Sequence, residues 1–169
     1  YSLVGKGTLT ERSLSKQQPV MLKNSVAEGY DALRNMVLPS LLTVLKNNKL
    51  YEYPQGFFEV GNVFSIDNTK ETKIAEGKHL AFIYANGSAD YTYARQVLDY
   101  LMQSLALDVK VKASSKSDLF MEGRYAEIFA GNKSIGFVGQ VNPQVLENFE
   151  LEVPVCGFEL NFDEVVNRL

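Results

Sequence analysis

Ala94, Val97, Leu98, Leu101 and Leu105 recur at steps of three and four residues, a spacing that predicts a helix over about 91–106 with one apolar face. Two runs of strand length, 57–66 and 79–85, are dense in aromatic and aliphatic residues, with a polar segment at 67–78 between them. They read as central strands joined by a loop. The runs 125–130 and 134–141 flank Gly131-Asn132-Lys133, a short glycine-containing connection of the kind that closes an antiparallel hairpin. A further apolar run at 154–160 predicts another strand, followed by a C-terminal helix.

Capping and proline signals place the remaining elements. Asn142-Pro143 supplies an N-cap and a first-turn proline for a helix at about 143–149. Pro39 starts a second helix at 39–48, which carries Leu41, Leu42, Val44 and Leu45, with Lys46 and Lys49 complementing the carbonyls at its end. Upstream, Ser25-Val26-Ala27-Glu28 fits the capping box and predicts a short helix that Pro39 terminates. The segment 1–20 is mixed and reads as an entry stretch with a strand remnant at 1–4, and 20–22 fits a short strand. Hairpins with interspersed helices and no regular strand-helix-strand rhythm give an α+β fold with a largely antiparallel sheet. A length of 169 residues fits one domain spanning 1–169.

Composition narrows the function classes. Apolar residues make up 46% and charged residues 22%, and no apolar stretch approaches the roughly 20 residues of a membrane-spanning helix. The net charge of −3 lacks the basic excess of a phosphate-backbone binder, so Lys46, Lys49, Lys110 and Lys112 read as solvated positions before direct nucleic-acid contacts. Cys156 has no partner for a disulfide, which fits a cytoplasmic setting. The first residue is Tyr1, so a piece of a longer chain is expected.

Candidate chemistry is thin. One histidine, His79, and one cysteine cannot assemble a structural zinc site, and His79 lies within a predicted strand as a structural residue. Gly5-Lys6-Gly7-Thr8 lacks the spacing that wraps amides around phosphates. Glu122, Arg124 and Glu127 form a candidate polar site at the hairpin entrance, or else ordinary salt-bridged loop ends. Leu38, Leu41, Leu42 and Leu45 crowd one short helix. Either all four face the chain's own core or they form part of an interface.

Four ordered blocks carry a resemblance. The stretch 22–28 with Leu33-Arg34 and Val37-Leu38-Pro39-Ser40-Leu41-Leu42, then Asn48-Lys49, Pro54 and Phe57-Phe58-Glu59-Val60-Gly61, then Phe120-Met121-Glu122-Gly123-Arg124-Tyr125-Ala126-Glu127-Ile128, and finally Ile135 to Leu146 resemble the phenylalanyl-tRNA synthetase beta-subunit pattern. Glu122-Gly123-Arg124 resembles the archaeal and eukaryotic branch. Ser25, Ser40, Asn142 and Glu150 stand where that pattern has proline, glycine, histidine and glycine.

The resemblance implies a class II aminoacyl-tRNA synthetase-like sheet flanked by helices, within a beta subunit whose alpha partner performs the ligation in an alpha2beta2 heterotetramer. It implies no cofactor in this domain, with ATP and magnesium serving the whole enzyme and tRNA reached mainly through it. It also implies a subunit interface near Arg34, Leu38, Pro39, Leu41, Leu42 and Leu45. Activating ATP requires cations aimed at phosphates. Phe57 and Phe58 precede Glu59 where an active synthetase of this class would carry an arginine, and 136–143 holds no arginine. No catalytic or metal-binding residue is therefore expected. The alternative is a stand-alone nucleotide- or amino-acid-binding module that reuses the fold.

Overall fold

The computed structural model describes residues 2–25, 27, 29–115 and 117–169. The entry segment contributes β1 (Leu3–Val4), α1 (Lys6–Leu9), β2 (Val20–Met21) and β3 (Ala32–Leu33), with β3 paired antiparallel to both other strands. Next come α2 (Leu38–Asn47), the hairpin β4 (Gln55–Ile66) and β5 (Ile74–Ala85), and α3 (Tyr91–Ser104). The chain continues through β6 (Lys110–Ala113), β7 (Phe120–Ala130), β8 (Lys133–Val141), α4 (Pro143–Asn148), β9 (Val155–Asn161) and α5 (Phe162–Val166). Six strands form one antiparallel sheet in the order β4-β5-β9-β8-β7-β6. No helix among the described residues is long and apolar enough to cross a membrane.

Strand alternation sends successive side chains to opposite faces of this sheet, so each face grows its own core. On one face α2 inserts Leu38, Leu41, Leu42 and Leu45 against Ala81, Ile83, Phe120 and Val141. On the other, Ala94, Leu98 and Met102 of α3 pack on Val138, Cys156, Phe158 and Leu160. Each fully buried leucine contributes roughly 1.5–3 kcal/mol relative to exposure. The central strand β9 is sandwiched between the two layers, and six of its seven residues are buried.

The predicted Asn142 cap forms, and the structure adds caps at two further helices. Asp90 accepts from the Tyr93 amide, Asn142 from Gln144 and Asn161 from Glu164. The helix expected to begin at Ser25 does not form. The Ser25 hydroxyl instead donates to the carbonyl of Ala27 and to that of Tyr30, Gly29 takes a left-handed φ of +80°, and Ala32–Leu33 is a strand. With Gly29 left-handed and Ala32–Leu33 extended, the chain presents no helical first turn whose amides the Ser25 oxygen could accept from. Val26 and Glu28, the other half of that capping box, lie outside the described residues.

Two more expectations move. The polar stretch 67–78 is loop only to Lys73, because Ile74 to Lys78 pair across β4 from Ile66 to Asn62. The edge strand β6 was not predicted at all; with Lys110, Lys112 and Ala113 exposed, it carries almost no apolar signal.

Candidate functional site

One row of side chains crosses all six strands on the face beneath α2. Glu59, Ala81, Glu159, Phe137, Glu127 and Lys112 stand directly opposite one another from β4 to β6. Three of the six are carboxylates, and each is held by different hydrogen-bond partners.

Glu159 is 1% exposed. Its Oε2 accepts from the amides of Val37 and Leu38 at 3.0 and 2.9 Å, and its Oε1 accepts from Val37 at 3.0 Å and lies 2.6 Å from His79 Nδ1. Those amides open α2, so the carboxylate satisfies orphan donors and meets the positive end of the helix dipole. Pro39 follows as a residue with no amide to satisfy.

Glu59 is held by Arg34. This guanidinium is 2% exposed; its Nη2 donates to Glu59 Oε1 at 2.6 Å and its Nε to the Asn62 carbonyl at 2.9 Å. Gly61 makes this possible, because a Cβ there would collide with Nη2 of Arg34. The Arg34 carbonyl in turn accepts from the Phe64 amide, so one residue stitches the segment after β3 to the edge of β4.

Glu127 accepts from the Ser114 hydroxyl at 2.9 Å, and among the described residues it forms no ion pair. A cavity of about 290 Å³ opens here, lined by His79, Tyr125, Glu127, Phe137, Glu159 and Asn161 among others. A neighbouring cavity of about 420 Å³ shares Tyr125 and Phe137 and adds Leu14, Met36, Asp118 and Lys16, the last two within 3.1 Å of each other. Burial, and then the nearby Glu127 charge, raises the Tyr125 hydroxyl above the usual tyrosine range, so it stays a proton donor. The smaller cavity is walled by carboxylates and rings, with no lysine or arginine among the described lining residues.

The other predicted positions fall as follows. Leu38, Pro39, Leu41, Leu42 and Leu45 are all buried in the chain's own core, so the helix has no surplus of apolar side chains to offer directly. Its outward positions carry Ser40, Thr43, Val44 and Asn47. Glu122, Arg124 and Glu127 do not assemble into one site. Residues 124 and 127 are three apart on a strand and leave it on opposite faces; Arg124 donates to Gln140 Oε1 at 2.5 Å, and Glu122 is exposed. His79 lies in β5, as its strand position implied, with Nδ1 against Glu159. Cys156 lies under α3, where burial pushes its thiol up to about 12. The 5–8 segment opens α1, and the Lys6 amide donates to a carboxylate, Asp31. Glu159 was not singled out from the sequence, although a lone acid inside the apolar run 155–160 was the available signal.

A family profile described as the phenylalanyl tRNA synthetase beta chain CLM domain matches residues 1–162. The phenylalanine–tRNA ligase beta subunit of Pyrococcus abyssi is 36% identical over 148 residues, covering 88% of this chain and 26% of that protein. The corresponding subunit of Saccharolobus islandicus is 33% identical over 161 residues, covering 95% of this chain and 29% of its own length. The chain thus spans about a quarter of the length of these curated relatives. Among solved structures, the pyrrolysyl-tRNA synthetase of Desulfitobacterium hafniense superposes with a TM-score of 0.73 at 15% identity, over 98% of this chain and 60% of that one. That is a likeness of fold, and it is to a synthetase of class II.

Proposed function

This chain belongs to the phenylalanyl-tRNA synthetase beta chain family, and from that premise we propose that it is a non-catalytic, synthetase-shaped domain of a longer beta chain. Its role is to support an alpha chain that joins phenylalanine to its tRNA using ATP and magnesium, in a cytoplasmic alpha2beta2 assembly that contacts tRNA mainly as a whole. One observation supports the non-catalytic part: the buried Arg34 guanidinium is committed to Glu59 and the Asn62 carbonyl, and the cavity holding His79, Glu127 and Glu159 has no lysine or arginine among its described lining residues. A nucleoside triphosphate needs uncommitted cations at that surface. The residues present do not fit its phosphates.

Arg34 and the 38–45 segment enter this role indirectly. The leucines fix α2 to the sheet, α2 presents its amides to Glu159, and Arg34 ties the β4 edge in place. Support then means holding the β4–β5 hairpin rigid for a partner.

The test uses the full beta chain with and without the alpha chain, in phenylalanine-dependent ATP–pyrophosphate exchange and in calorimetric titration with ATP. Exchange is expected only when alpha is present, and no saturable heat from beta alone. Saturable ATP binding by beta alone would replace this reading with that of a nucleotide-binding module.

A further inference from the structure

The sheet face that carries α3 is only half roofed. α3 packs over β8 and β9, and α5 packs over β5 and β9, with Asp163 accepting from the Lys78 amide. Above β4 no helix packs on this face among the described residues. The outward positions there include Phe58 and Val60, 76% and 45% exposed, and their cross-strand partners Phe82 and Leu80 are only partly buried.

A second stripe borders this open lane. Tyr93, Val97, Tyr100 and Ser104 of α3 follow i, i+4, i+7, i+11 spacing and therefore share one side of the helix. Tyr93 stacks on Tyr84 of β5 with ring centroids 4.1 Å apart, which turns that side toward the lane, and Tyr100 is 74% exposed. The ion pair Arg95–Asp99 lies on the opposite flank of the same helix. The stripe and the Phe58–Val60 end of the lane are uncharged, in a chain with 22% charged residues; Glu76 and Lys78 stand exposed farther along the same face of β5. Aromatic enrichment with depletion of charge marks the buried centre of an interface.

The geometry points to a docking seat for one α-helix of the catalytic partner chain, lying beside α3 across β4 and β5. The partner's identity rests on the reading above; the seat rests on the surface alone. From the middle of β8 and β9 to the middle of β4 and β5 is two strand spacings, about 10 Å, which matches the 8–10 Å between packed helix axes. The 4-3-4 stripe on α3 is the pattern that receives a second helix alongside. The beta-subunit relatives imply at least one other chain to supply it.

The test compares the full beta chain with variants Phe58→Asp and Tyr100→Asp in the measured dissociation constant for the alpha chain. Both side chains are mostly exposed, so the variants fold. Arg95→Ala, on the far flank of α3, serves as the control. Each aspartate is expected to weaken association at least tenfold, with the control unchanged. Amide exchange across 56–62 is expected to slow only when alpha is added. Aspartate variants that bind as tightly as the unmodified chain overturn the seat and leave the functional reading standing. Protection of 56–62 in the beta chain alone also overturns it, because the lane is then covered by that chain itself or by a second copy. If the unmodified chains do not associate at all, the functional reading falls and takes the partner with it.

Discussion

Glu159 and Phe58 belong to the same sheet, yet the carboxylate is 1% exposed and the phenyl ring 76%. Under α2 the sheet has drawn its charges inward and given each a partner: two helix amides and His79 for Glu159, Arg34 for Glu59. Beside α3 it has left aromatic rings in water. A buried charge and an exposed apolar patch are the two departures from ordinary sorting that carry information. They differ in completeness. Glu159 and Glu59 find their partners within this chain, whereas among the described residues no helix packs over Phe58 and Val60.

The strongest way to break this contrast is at Glu159. Glu159→Ala strands the Val37 and Leu38 amides and His79, and is expected to cost about 3–5 kcal/mol in urea unfolding. A loss below about 1 kcal/mol would mean that the charge is not integral to the interior. Next, Leu42→Ala is expected to cost about 2–5 kcal/mol by the same assay, because Leu42 is fully buried between α2 and the sheet. Phe58→Asp, of comparable severity on paper, should change stability by less than about 0.5 kcal/mol. If Phe58→Asp destabilised as much as Leu42→Ala, the lane would belong to the chain's own core.

Glu150 sets the scale of a purely backbone effect. It sits at φ +58°, a left-handed conformation that suits glycine, and the beta-subunit pattern carries glycine there. Its carboxylate is held below the usual range by the Lys46 ammonium, but both groups stand near the surface. Glu150→Gly is expected to raise stability by up to about 1 kcal/mol, since relief of strain outweighs an exposed ion pair. A net loss would show that the ion pair with Lys46 outweighs the backbone strain.

The subtlest probe separates the roofed and open halves of the α3 face. Cys156, under α3, has its thiol pushed up to about 12 by burial, so it stays protonated at pH 8 and is expected not to react with Ellman's reagent until the chain unfolds. A cysteine introduced as Val60→Cys in the lane should react in the folded state at that pH. Two fast thiols would show α3 to be a poor roof. Because the folded thiol pKa lies above the unfolded value of about 8.5, its contribution to stability is fully present below pH 8.5. It is lost as pH rises toward 12.

Most elements were legible because their signals are local. The 91–106 periodicity, the Asn142-Pro143 cap and the glycine turn at 131 each encode their geometry within a few residues, and the structure follows them. Signals failed where the deciding partner was distant. Ser25 looked like a cap, but its hydroxyl turned to nearby carbonyls in a segment organised by β1 and β2. Glu122, Arg124 and Glu127 looked like neighbours, but strand alternation parts them. The leucines of α2 looked plentiful for one stripe, yet Ala81, Ile83, Phe120 and Val141 use them all.

By itself the sequence determined the α+β antiparallel class, the order of nearly all its elements and the family, since periodicity, caps and ordered motifs are properties of the chain. Only the tertiary structure decided which charges are spent. Glu159 finds α2 across 121 and 122 positions, Arg34 finds Glu59 across 25, and Phe58 stays mostly exposed among the described residues. Burial and pairing are set by what packs against a residue, and that is written in no local stretch of sequence.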